Sequence, residues 1–110
     1  MTQTITLTNN GHFFAVRGEY NISLISFNIL GNFGNGKLVA STTEQNDLTR
    51  AVPFRDGNGT QIELTQETQY GISSSSKYRW YIFTLQNSTG ASIDIDYVGI
   101  ITDNIKTNVV

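Results

Sequence analysis

Asp94 and Asp96 are separated by one residue in Ser92-Ile93-Asp94-Ile95-Asp96-Tyr97. In an extended chain both carboxylates stand on one side, roughly 7 Å apart. Paired carboxylates can act as acid and base in sugar hydrolysis, given a cleft and one perturbed pKa. The alternating isoleucines read instead as a strand with a solvated outer face. Asp56, Asn58, Thr60 and Glu67 fall at positions 1, 3, 5 and 12 of a calcium-loop spacing. Position 6, which needs Gly, is Gln61, so a plain Asp-Gly-Asn-Gly turn is expected. Gly31-Asn32-Phe33-Gly34-Asn35-Gly36-Lys37 matches the start of a phosphate-binding loop. The next residue is Leu38 rather than Ser or Thr, and a strand pattern follows where a helix should begin. His12 is the only histidine and sits just after an Asn-Gly turn, so neither a triad nor a metal site is expected there. Tyr78 and Trp80, with Tyr81 beside them, could stack on a sugar ring if exposed. A core position in a central strand is the competing reading of Trp80.

The totals narrow the classes further. One domain, 1–110, is expected from the length. There is no Cys, so disulfides, thiolate metal sites and Cys nucleophiles are excluded. Charged residues make up 15% of the chain and the net charge is −2, with seven scattered Lys and Arg. A nucleic-acid binder would show a basic patch. The N-terminus Met1-Thr2-Gln3-Thr4-Ile5-Thr6 lacks the features of a signal peptide. No apolar run approaches the ~20 residues of a membrane span. No nucleic-acid or membrane partner, no metal and no cofactor is expected. The Asn-x-Ser/Thr triplets at Asn21, Asn58 and Asn87 read as by-products of a composition rich in Asn, Ser and Thr.

The elements that must position these residues are strands. Thr4 to Thr8 alternates, with Ile5 and Leu7 inward. His12 to Val16 places Phe14 and Val16 on one face and Phe13 and Ala15 on the other. Asn21 to Leu30 and Lys37 to Thr42 follow, and 22–42 reads as one hairpin. Thr43 to Arg50 has no pattern and reads as a loop, with room for one helical turn. Pro53 marks an edge strand. Gln61 to Thr65 alternates, and a short strand is expected around Tyr70. Tyr78 to Thr102 reads as the central hairpin, with Trp80 and Ile82 alternating against Tyr81, Phe83 and Leu85. The 103–110 tail reads as an arm. About eight short strands between Gly/Asn turns predict an all-β fold, a single antiparallel β-sandwich, jelly-roll or immunoglobulin-like. A small closed barrel is the runner-up.

The strands at 22–30 and 78–85 carry large apolar groups on both faces. In a sandwich one face should meet solvent, and an uncovered apolar patch is costly. Either the segment 43–55 folds over the outer face, or another chain covers it. Burial in an assembly is the expectation, with Tyr81, Phe83, Val98 and Ile100 on the outer faces.

Ile5-Thr6-Leu7-Thr8 followed by Asn10-Gly11, then Gly31-Asn32-Phe33-Gly34-Asn35-Gly36-Lys37-Leu38, resembles the start of small β-sandwich structural proteins of tailed bacteriophages. Tyr78-Arg79-Trp80-Tyr81, Leu85 and Ser88-Thr89-Gly90-Ala91-Ser92-Ile93-Asp94-Ile95 are similar to the ends of such proteins. The resemblance implies a non-enzymatic virion protein, a capsid decoration (cement) subunit or a tail or head-tail accessory, assembled in the host cytoplasm. It implies binding to the major capsid protein or tail subunits, as a homo-oligomer such as a trimer. Phe13, Phe14, Phe33 and Tyr70, at turn edges or in weakly patterned segments, are the expected interface residues. A carbohydrate-binding module stacking sugars on Tyr78 and Trp80 is the alternative.

Overall fold

The computed structural model describes residues 3–18, 25–45, 47–72, 79–97 and 105–108. Among the described residues ten strands run in chain order: β1 (Gln3–Leu7), β2 (Phe13–Gly18), β3 (Ile25–Asn32), β4 (Lys37–Thr43), β5 (Val52–Pro53), β6 (Glu63–Leu64), β7 (Thr68–Ile72), β8 (Arg79–Gln86), β9 (Ser92–Tyr97) and β10 (Ile105–Thr107). A 3-10 turn covers Leu48–Arg50, capped by the Asp47 side chain, which accepts from the Thr49 N–H. The strands form a four-stranded sheet, β1-β9-β3-β7, and a six-stranded sheet, β10-β2-β8-β4-β5, with β6 also on β4. All pairings are antiparallel.

The pairing is nested. β1 pairs with β9, β2 with β8, β3 with β7, and β4 with β5 and β6. The chain is therefore one long hairpin, doubled back between β4 and β5 and then rolled into two facing sheets. That order is a jelly roll. The immunoglobulin-like and barrel alternatives are excluded by it. The strand that follows the fold-back is interrupted: Phe54 and Ile62 both bond to the Ala40 backbone, and the residues between them leave the edge as a small turn. β10 is an addition beyond the nested set.

Two expected hairpins, 22–42 and 78–102, are corrected by this order. The strand pairs β1/β2, β3/β4 and β8/β9 are consecutive in sequence, but each pair is split between the two sheets. Their connecting turns are arches across the sandwich, and Tyr78 to Thr102 is not a hairpin. Turn composition marks where the chain reverses, whereas the sheet it returns to depends on where the apolar faces can meet.

Alternation puts Leu7, Phe14, Val16, Phe27, Ile29, Leu38, Ala40, Tyr81, Phe83, Leu85, Ile93, Ile95 and Tyr97 into one core between the sheets. Phe27 of one sheet and Phe83 of the other meet edge to face at 5.3 Å, with Phe14 and Tyr70 packed around them. The faces of β8 are the reverse of the expected ones. Tyr81 and Phe83 point inward, and Trp80 and Ile82 point outward. Val98 and Ile100 lie outside the described residues.

The outward pair is still buried. Ala15, Trp80 and Ile82 form a second cluster, with Phe13, Leu48 and Ala51 packed against it. The segment between β4 and β5 thus folds over the six-stranded sheet. The expected need for another chain on this face is met by the protein's own loop.

Candidate functional site

At one end of the sandwich three arches are locked together. The Asn10 side chain accepts from the Ser88 backbone N–H (2.8 Å) and hydroxyl (2.7 Å), and donates to the Ser88 carbonyl (3.2 Å). The Thr89 N–H donates to the Gly34 carbonyl at 2.9 Å. Gly34 has φ 58°, and a Cβ there would overlap the Thr89 carbonyl. This close approach, rather than phosphate binding, is what the Gly-rich segment serves. Lys37 pairs with Glu63 at 2.9 Å, and β4 follows it directly.

The remaining candidates are similarly engaged. The Asp56 carboxylate accepts from the N–H groups of Asn58 (2.8 Å) and Thr60 (3.1 Å), closing its turn. Glu67 accepts from the Gly31 N–H at 3.0 Å, at the edge of an open cleft of about 330 Å³ beside the arch. No group of three or more metal-ligating side chains occurs among the described residues. His12 Nδ1 accepts from the N–H groups of Thr8 and Asn9, both at 3.2 Å, and so braces the first turn.

Asp94 and Asp96 do share one face of β9, as their spacing predicts. Each carboxylate accepts from a threonine hydroxyl on β1, Asp94 from Thr6 (2.7 Å) and Asp96 from Thr4 (2.6 Å). They stand on the outer face of the four-stranded sheet, in the row Thr4, Asp96, Asn28, Gln69 and the row Thr6, Asp94, Leu30. Neither aspartate lines the clefts beside Gly31 and Glu67, Thr42 and Val52, or Phe13 and Thr84.

The expected interface residues separate into two kinds. Phe14 is fully buried and Phe33 is 6% exposed, so both are core residues and offer no contact surface. Their positions next to turns concealed this, because the turns themselves are packed together. Phe13 and Tyr70 are half-buried. Tyr70 packs on Phe27 and Phe83, and burial pushes its phenol pKa up. Trp80 is 3% exposed and lies beneath the Lys106 ammonium, 4.8 Å from the ring centroid, so it cannot stack on a sugar. Tyr78 lies outside the described residues.

The surface feature that sequence reading missed is the contrast between the sheets' borders. The four-stranded sheet ends in β1, Gln3-Thr4-Ile5-Thr6-Leu7, and β7, Thr68-Gln69-Tyr70-Gly71-Ile72. Neither contains a charge or a proline, the usual devices that keep an edge strand from pairing with another chain. The six-stranded sheet carries such devices on its borders: Pro53 in β5, Glu63 in β6 and Lys106 in β10. The signal was present in the sequence, but only strand order reveals which segments are edges. No family model, curated protein or solved structure matches the chain.

Proposed function

We propose that this chain is a structural subunit of a tailed-bacteriophage virion, a capsid decoration (cement) protein that reinforces the shell by packing onto the major capsid protein. The observation that carries the reading is the four-stranded sheet. Among the described residues no segment covers its outer face, which is mostly polar, and its two edges carry neither a charge nor a proline. Such a sheet suits extension by backbone pairing with a neighbouring subunit, in which main-chain bonds supply affinity. The jelly-roll order is common to viral capsid and lectin domains. The segments that resemble phage proteins include the arches clamped together at one end, which supports reading them as a shared scaffold. Asp94, Asp96 and His12 are held by structural hydrogen bonds, and no catalytic role is proposed for them.

Purified chain added to phage particles that lack it tests the proposal. Co-sedimentation to a saturating ratio, with a rise in the temperature at which shells release DNA, is the expected result. Absence of both binding and thermal shift would overturn it. Labelled chain decorating tails instead of shells would move the subunit to a tail or head-tail position.

A further inference from the structure

β10 lies outside the nested pairing, so the roll is closed without it. It is held on the β2 edge by chemically distinct contacts. Ile105, Lys106 and Thr107 stand opposite Val16, Ala15 and Phe14. The Ile105 side chain packs on the main core. Lys106 sits over the Trp80 ring. The Asn108 side chain then closes the ladder: its Oδ1 accepts from the Phe13 N–H at 2.6 Å and its Nδ2 donates to the Gly11 carbonyl at 2.9 Å. The β2 edge thus reads four successive residues, an apolar anchor, a cation, a pairing residue and an amide clamp.

We propose that this edge is a strand-accepting site that takes residues 105–108 from a second copy of the chain as well as from its own, joining copies by exchange of β10. The occupant is specified by the site itself, because every contact is identical whether the segment arrives within the chain or from outside it. Exchange of an identical element forms dimers or larger assemblies at little cost. Residues 98–104 connect β9 to β10, and seven residues span at most roughly 24 Å. Because cis and trans contacts match, protein concentration sets the balance between them. The exchange needs no phage particle, so it can fail or succeed independently of the virion reading.

The absence of Cys in the chain gives a clean test. Two full-length variants, Ala15→Cys and Lys106→Cys, place one thiol each at facing register positions. Mixed and mildly oxidised, they are expected to give the mixed dimer in excess of either homodimer, rising with concentration. The doubly substituted chain should then close internally when dilute and between copies when concentrated. Internal closure at every concentration, with no mixed dimer, would overturn the proposal. Ala15 is fully buried, so a second measurement uses the unaltered chain. A quencher-tagged peptide of residues 104–110 should reduce Trp80 fluorescence saturably, and the peptide carrying Lys106→Glu should bind about tenfold more weakly. Equal, non-saturating quenching by both peptides would also overturn it.

Discussion

The two outer faces of this sandwich are built on opposite plans. On the six-stranded sheet the outward residues Ala15, Trp80 and Ile82 are apolar, and the β4–β5 segment closes over them with Leu48 and Ala51. On the four-stranded sheet the outward residues Thr4, Thr6, Asn28, Asp94 and Asp96 are polar, and no segment among the described residues covers them. The first face is a second small core. The second is a surface whose one large exposed apolar side chain among the described residues is Leu30, at 41%. An apolar outer strand is therefore not by itself evidence of a partner chain. The proposal of a pairing partner rests instead on the edges of the four-stranded sheet, which carry neither a charge nor a proline.

The sharpest way to break this comparison is to make one change on each face. Ile82→Ala should destabilise by about 2–4 kcal/mol, as for a buried aliphatic truncation. Leu30→Ala should fall within about 0.5 kcal/mol, as for an ordinary surface change. Urea unfolding measures both, and equal losses would mean that the faces are not distinct. Leu48→Ser tests the cover itself. It should cost about 1 kcal/mol, since Leu48 is half-buried, and should make Trp80 more accessible to acrylamide. Thr6→Val removes one exposed hydroxyl from Asp94 and should cost at most about 0.5 kcal/mol. A larger loss would show that the polar face holds the sheet together rather than merely finishing it.

The smallest effect is confined to alkali. Burial raises the phenol pKa of Tyr70 and Tyr97 above the ordinary value of 10.0. Between the unfolded value and the raised one, the folded state holds more protons than the unfolded state. Stability from this source is full below pH 10 and declines as pH rises through the folded values. Tyr70→Phe should flatten part of that decline in melts recorded from pH 9 to 11.

The inward residues of β1 and β9 were legible from period-2 alternation alone, as was the edge position of Pro53, whereas in β2, β3 and β4 alternation separated two faces without saying which is inside. The faces of β8 were not legible, because Trp80, Tyr81, Ile82 and Phe83 are all large and apolar. When both faces are hydrophobic, alternation no longer says which is inside. Strand pairing was also illegible, since an Asn-Gly turn reads the same in a hairpin and in an arch between sheets. β10 was read as part of a polar arm because three residues are too few to show a period. Among the candidate site residues, the shared face of Asp94 and Asp96 followed from spacing. Their threonine partners on β1 depended on a pairing almost the full length of the chain away.

That last separation has a consequence for how the protein is made. The Tyr97 hydroxyl donates to Gln3, 94 positions earlier, and the β1–β9 ladder joins residues 86 to 94 positions apart. Folds dominated by such distant pairings are slow to form, because loop closure precedes any reward in contacts. Synthesis proceeds at about 5–20 residues per second, so β1 waits several seconds without its partner. Until β9 emerges, the uncharged Gln3-Thr4-Ile5-Thr6-Leu7 edge is exposed on both sides. The nascent chain is then at its most prone to pair with a neighbour on the same messenger, and crowded translation should lower the yield of correctly rolled protein.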